Sequence, residues 1–104
     1  MRLFTFILLI LSIFFLSCTK KEAEVVIIQE KEIDLQMIDA YQEGIKALDD
    51  GDGLSAAKKF SEAELLFPQS IWAPRAALMS AYAYYSNEFY ADTIYEIERF
   101  LKTY

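Results

Sequence analysis

Residues 40–68 read AYQEGIKALDDGDGLSAAKKFSEAELLFP, and their pattern indicates how the chain folds. On each side of its glycine-containing centre, apolar side chains recur every three or four residues, which is the spacing of one face of an α-helix. Gly51 and Gly53 allow the chain to turn, and Asp52 can accept hydrogen bonds from the free amides that open the second helix. Pro68 then ends that helix. The stretch therefore predicts a helix, a tight turn and a second helix.

The same helical spacing extends beyond this stretch in both directions. The first helix is predicted to begin near residue 35, because its apolar positions start there. These positions are Leu35, Ile38, Tyr41, Ile45 and Leu48. The second helix is predicted over 54–66, a third over 71–86 with Pro74 tolerated in its first turn, and a fourth over 90–103. The predicted fold class is all-α.

The four helices form two helix-turn-helix units of similar length, which indicates a repeat of about 34 residues. The first unit, about 37–68, resembles a tetratricopeptide repeat. Its residues at the small, small, aromatic, alanine and proline positions of that repeat are Gly44, Ala56, Phe60, Ala63 and Pro68. The second unit, about 74–104, places Ala81, Tyr84, Thr93 and Ile97 at the corresponding small, aromatic, small and large positions. An ordinary four-helix bundle has a similar periodicity and is the alternative.

The amino terminus carries the pattern of an export signal. Arg2 is followed by an apolar run that ends at Leu16, which is shorter than the roughly 20 residues of a membrane-spanning helix. Ser17 and Cys18 then resemble a lipobox, which implies cleavage before Cys18 and covalent lipid on its thiol. Several acyl chains on one residue would anchor the protein stably. We predict a signal peptide over 1–17, a lipidated cysteine and flexible tether over 18–34, and a helical domain over 35–104; an uncleaved anchor is the alternative.

Composition excludes several classes of function. Sixteen acidic residues against ten basic ones give a net charge of −6, which disfavours binding to nucleic acid. The chain has no histidine, and we find no catalytic constellation, so we predict that it is not an enzyme and has no cofactor besides the lipid on Cys18. Asp49, Asp50 and Asp52 do not form a calcium loop, because such a loop needs other residues at positions 54 and 55. No metal site is predicted.

The tetratricopeptide resemblance implies that the first helix of each unit lines a concave groove. Candidate protein-binding residues on that side are Tyr41, Arg75, Tyr82 and Tyr85, because aromatic and arginine side chains dominate interface energies. The alternative for each of them is packing between the repeats.

The stretch at 72–85, WAPRAALMSAYAYY, together with the lipobox and the repeat, resembles BamD-type lipoproteins, also called ComL-like. The resemblance implies a lipid-anchored scaffold on the periplasmic side of the outer membrane, which holds a BamA-like barrel protein and other assembly lipoproteins together. Segments of unfolded outer-membrane proteins are further expected partners. Members of that family carry more repeats, so the resemblance also implies an amino-terminal fragment. The alternatives are a tetratricopeptide lipoprotein that coordinates other envelope or peptidoglycan complexes, and an accessory subunit of an envelope enzyme.

Overall fold

The computed structural model describes Met1 and residues 21–104, with side chains described at Met1 and from Gln29 onward. Cys18 and all of the predicted signal peptide except Met1 lie outside the described residues. The described chain forms four α-helices: α1, Lys21–Asp49; α2, Gly53–Leu66; α3, Trp72–Ser86; and α4, Tyr90–Thr103. Within these residues the regular secondary structure is entirely helical, which confirms the all-α prediction. None of the described helices combines the length and the apolar character that crossing a membrane requires.

The chain divides into two compact units, Met1–Lys31 and Glu32–Tyr104. In the first unit the described residues are Met1 and the beginning of α1. The prediction that this helix starts near Leu35 is wrong, because it begins at Lys21. Residues 21–34, predicted as a flexible tether, lack an apolar stripe, but they also lack glycine and proline and are rich in glutamate and lysine, which favour helices. Whether 18–34 acts as a spacer between lipid and domain stays a prediction.

The second unit, Glu32–Tyr104, contains the predicted turn between α1 and α2. Gly51 takes a φ of 80°, a conformation that glycine adopts without a steric penalty. Asp52 caps α2 by accepting a hydrogen bond from the amide of Ser55 at 3.0 Å, and its hydrogen bonding to Ser55 lowers the pKa of Asp52. The predicted cap is confirmed, and Asp52 therefore has a structural function in the turn.

Small residues allow α1, α2 and α3 to pack closely. One cluster of buried side chains consists of Met37, Ala40, Ala63 and Ala76. A second consists of Ala56, Ala57, Phe60 and Ala83. Phe60 is fully buried, and a Cβ atom on Gly44 would lie 2.8 Å from Cε1 of its ring. The residues that the repeat pattern requires to be small are thus the ones at which helices approach each other.

The turn between α3 and α4 contacts the turn between α1 and α2. Asn87 accepts a hydrogen bond from the amide of Gly53 at 2.6 Å and donates one to the carbonyl of Gly51 at 3.3 Å. The next residue, Glu88, has a φ of 64°, which is unusual for a residue with a side chain. These hydrogen bonds join the two hairpins at one end of the unit.

Candidate protein-binding face

The outer side of α3 carries large side chains that the fold leaves in solvent. Arg75, Leu78, Tyr82 and Tyr85 are all exposed, and their spacing of three, four and three residues places them on one face of the helix. We call these four residues the α3 aromatic face. The opposite sides of the helix are buried and consist of alanine and serine. Because alanine and serine form the sides of α3 that pack in the core, the large side chains of the α3 aromatic face remain available for contact with another molecule.

Two ring contacts extend this face toward its neighbours. The Arg75 guanidinium lies over the Trp72 ring, 5.0 Å from its centroid, in a cation–π contact. At the other end, the rings of Tyr85 and Tyr90 are 5.9 Å apart, so the first residue of α4 adjoins the face. Contacts with Trp72 and Tyr90 therefore restrict the side chains of Arg75 and Tyr85, so these side chains would lose less conformational entropy on binding.

Tyr41 differs from the other three candidate residues. Its ring packs edge-to-face on Phe60 at 5.2 Å and on Trp72 at 5.8 Å, and it borders both buried clusters. The structure brings it to the Trp72 end of the α3 aromatic face, but as a half-buried packing residue. Its part in binding stays a prediction, as do those of Arg75, Tyr82 and Tyr85.

A small apolar groove lies beside Trp72. It has a volume of about 230 Å³ and is lined by Met37, Ile38, Tyr41, Gln42 and Trp72. The helical pattern of the sequence does not single out Gln42. Ile38 and Tyr41 belong to the apolar positions of α1, so the sequence indicated one side of the groove. The other side is Trp72, which only the packing of α1 against the start of α3 brings there.

Sequence reasoning also missed a charged network that joins α2 to α4. Glu64 is buried on α2 and accepts two hydrogen bonds from the Arg99 guanidinium, at 2.9 and 2.7 Å. Tyr104 donates a third hydrogen bond to Glu64 at 2.8 Å, and Glu96 contacts Arg99 at 2.8 Å. The available signal was the position of Glu64, which follows Phe60 and Ala63 on the buried stripe of α2. A carboxylate placed there requires a partner from another element.

The network changes the ionisation of its members. Burial alone would raise the pKa of Glu64, but hydrogen bonds from Arg99 and Tyr104 and the positive charge of Arg99 outweigh it and lower that pKa. Burial and the hydrogen bond to Glu64 raise the pKa of Tyr104 to about 12. The hydrogen bond to Glu64 also raises the pKa of Arg99. All three groups therefore hold their usual charge states at neutral pH, so the network stabilises the fold and offers no proton for acid–base chemistry.

The described residues form an exposed surface that is suited to binding, but they form no metal site. Among those residues, no three cysteine, aspartate or glutamate side chains converge on a position that could hold a metal ion. The α3 aromatic face and the groove beside Trp72 provide apolar and aromatic contact area, and Arg75 adds one guanidinium. Such a surface is suited to recognition of another protein chain.

Comparison with known sequences gives two matches. The profile of a family described as YfiO, outer membrane lipoprotein, matches residues 33–104. The outer membrane protein assembly factor BamD of Caulobacter vibrioides is 32% identical over 85 residues, an alignment that covers 82% of this chain and 27% of that protein. The chain thus spans about a quarter of the length of this relative. No solved structure matches the chain.

Proposed function

The chain belongs to the YfiO family of outer membrane lipoproteins, and on that premise we propose that it is a non-enzymatic helical scaffold in the assembly of outer-membrane proteins. Membership confirms the resemblance to BamD-type lipoproteins and the predicted outer-membrane location. The finer parts of the proposal are a BamA-like barrel protein and other assembly lipoproteins as partners, a lipid anchor on Cys18, and contact with segments of unfolded outer-membrane proteins.

The main support for this proposal is the exposure of the α3 aromatic face. Tyr82 and Tyr85 are 54% and 57% exposed, and no described element covers them. Tyrosine and arginine are among the residue types that most often carry binding energy at protein interfaces. Tyrosine gains a large rigid contact surface for little lost side-chain freedom. A scaffold needs such a surface, whereas an enzyme would need convergent reactive groups.

Removing the two tyrosines is expected to weaken capture of the barrel partner. In a detergent pull-down from crosslinked cells that produce the complete gene product, Tyr82→Ala together with Tyr85→Ala should lower recovery of a BamA-like protein by about ten-fold or more, since one anchor residue contributes about 1–2 kcal/mol or more. Both side chains lie outside the buried clusters, so circular dichroism should show unchanged helical content. Mass spectrometry of the recovered proteins measures the effect.

Tyr95→Ala is the matched control, because Tyr95 is a tyrosine of similar exposure on α4 and is not part of the α3 aromatic face. Equal recovery of the barrel partner with the double variant and with this control would show that the face does not bind it. Recovery of peptidoglycan synthases in place of a barrel protein would support the alternative function in envelope coordination.

The lipid anchor has its own test. Metabolic labelling with a fatty-acid analogue should mark the wild-type chain and leave Cys18→Ala without label, because Cys18 is the single cysteine and its thiol is the proposed attachment point. Without acyl chains on residue 18, the Cys18→Ala chain should also lose the membrane anchoring that they would supply. Equal labelling of both chains would contradict lipidation at this position.

A further inference from the structure

The outer side of α2 carries two leucines that the fold leaves in solvent. Leu54 and Leu65 are 55% and 76% exposed, and neither belongs to a buried cluster or packs against one. Lys58 and Ser61 lie between them, and spacings of four, three and four residues place all four on one face of the helix. We call these four residues the α2 face. They line an open hollow of about 770 Å³, which leaves room beside the helix for side chains of another molecule.

The hollow along the α2 face carries charges of both signs. Lys58 is exposed and forms no ion pair among the described residues. Glu62 lines the same hollow one turn further along the helix, and its contact with Lys59 lies in solvent. A uniformly acidic or uniformly basic partner would therefore set a like charge against one of these two groups. The surface suits a partner that itself carries a lysine and a carboxylate between apolar ends.

The spacing of the α2 face is the same when it is read in either direction. A second copy of α2 that runs antiparallel therefore meets it in register, with Leu54 opposite Leu65 of the second copy and Lys58 opposite Ser61 of the second copy. Glu62 follows Ser61 directly, so the Lys58 ammonium comes within reach of the Glu62 carboxylate on the second copy. A two-fold axis repeats each contact, which gives two leucine pairs and two ion pairs.

We propose that the α2 face is a two-fold interface between two copies of this chain, whose α2 helices pack antiparallel. The inference goes beyond the proposed scaffold function and does not depend on it. A single helix face is smaller than the surface of about 800 Å² per partner that a stable complex usually buries. We therefore expect a weak dimer that forms at high local concentration.

Disulfide cross-linking of the full chain in detergent tests the antiparallel register. All chains carry Cys18→Ala, so that introduced thiols are the only ones, and one chain carries Leu54→Cys while the other carries Leu65→Cys. These two positions lie opposite each other in the proposed dimer. Two copies of position 54, or two of position 65, would be about 16 Å apart along the helices, too far for a disulfide. The mixture should therefore give about five-fold or more cross-linked dimer than either chain alone.

Sedimentation equilibrium of the full chain in detergent measures the strength of the dimer. Leu65→Glu should weaken it by about ten-fold or more, because a carboxylate then lies against Leu54 of the second copy. Leu101→Glu is the matched control, since Leu101 is a leucine of similar exposure, 73%, on α4 and lies outside the α2 face. It should leave the dimer unchanged.

Charge exchange separates the proposed pairing from non-specific association. Lys58→Glu and Glu62→Lys should each weaken the dimer by about five-fold or more, because each places like charges opposite each other twice. A mixture of the two variants should associate as the wild type does, since the lysines of one chain then meet the glutamates of the other.

Three results would overturn the proposal. One is a wild type that stays monomeric while the mixed cysteine chains form no disulfide. Another is cross-linking that is as strong in each cysteine chain alone as in the mixture, because it would exclude the antiparallel register. The third is a dimer lost on Leu101→Glu and kept on Leu65→Glu, or not recovered by mixing the two charge variants, because the contact would then lie outside the α2 face.

Discussion

Replacing Arg99 with methionine is expected to lower the free energy of unfolding by about 2–4 kcal/mol. The guanidinium makes two hydrogen bonds to Glu64, whose side chain is only 7% exposed, so the variant leaves a carboxylate buried without its cation. Methionine keeps most of the apolar stem of the arginine, so the loss reports the charge and not the packing. Urea unfolding followed by circular dichroism measures the change.

Two further variants test whether the effect of Arg99→Met comes from the buried charge of Glu64. Lys59 contacts Glu43 and Glu62 at 2.6 and 3.1 Å, but these side chains lie in solvent, so Lys59→Met should leave the urea midpoint nearly unchanged. Changing Glu64 to leucine together with Arg99→Met should recover part of the loss, because the most deeply buried carboxylate is then gone and only Glu96 has lost its cation. Equal effects of Arg99→Met and Lys59→Met would contradict the importance of burial at this network.

The network also predicts a dependence on pH. The pKa of Glu64 is lower in the folded chain than its ordinary value of 4.5, so ionised Glu64 stabilises the fold above that value. This stabilisation is lost as the pH falls through the lowered pKa. The wild type should therefore lose stability more steeply below about pH 4.5 than Glu64→Gln, whose side chain does not titrate.

The helices were predictable because they are set by local sequence. Gly51, Asp52 and Pro68 define the end of α1 and both ends of α2 through backbone geometry and capping, which need only neighbouring residues. The start of α1 was missed because its first part lacks an apolar stripe, although its residues favour a helix. The spacing of apolar residues identifies helices that bury one face. It does not identify helices that form because their residues have high helix propensity.

The candidate site was predictable only in part. Helical spacing correctly placed Arg75, Tyr82 and Tyr85 on one face, since that requires only the period of the helix. It could not show that Tyr41 packs between Phe60 and Trp72, because that depends on how two repeats meet. The bonds of Glu64 to Arg99 and of Gly53 to Asn87 join residues 35 and 34 positions apart. Such pairings follow from tertiary structure and leave little trace in one sequence.

Gly53→Ala is expected to lower the free energy of unfolding by about 2–3 kcal/mol, although alanine favours helices more than glycine does. A Cβ atom at this position would collide with the carbonyl oxygen of Ala83 and would lie 2.6 Å from the side-chain oxygen of Asn87. The first of these atoms is backbone and cannot move away by itself. The substitution should therefore push apart the two turns that Asn87 joins, and the urea midpoint measures this loss.

Gly51→Ala is the control that separates crowding from backbone strain. No atom lies within 4 Å of a Cβ at Gly51, so its cost comes from the positive φ alone and should be smaller, about 1 kcal/mol. In an Asn87→Ala background, Gly53→Ala should cost less than in the wild type, because one of the two obstructing groups is gone. It should still destabilise, because the Ala83 carbonyl remains. Strict additivity of the two substitutions would mean that Gly53 and Asn87 do not meet as described, and that the hairpins are held together elsewhere.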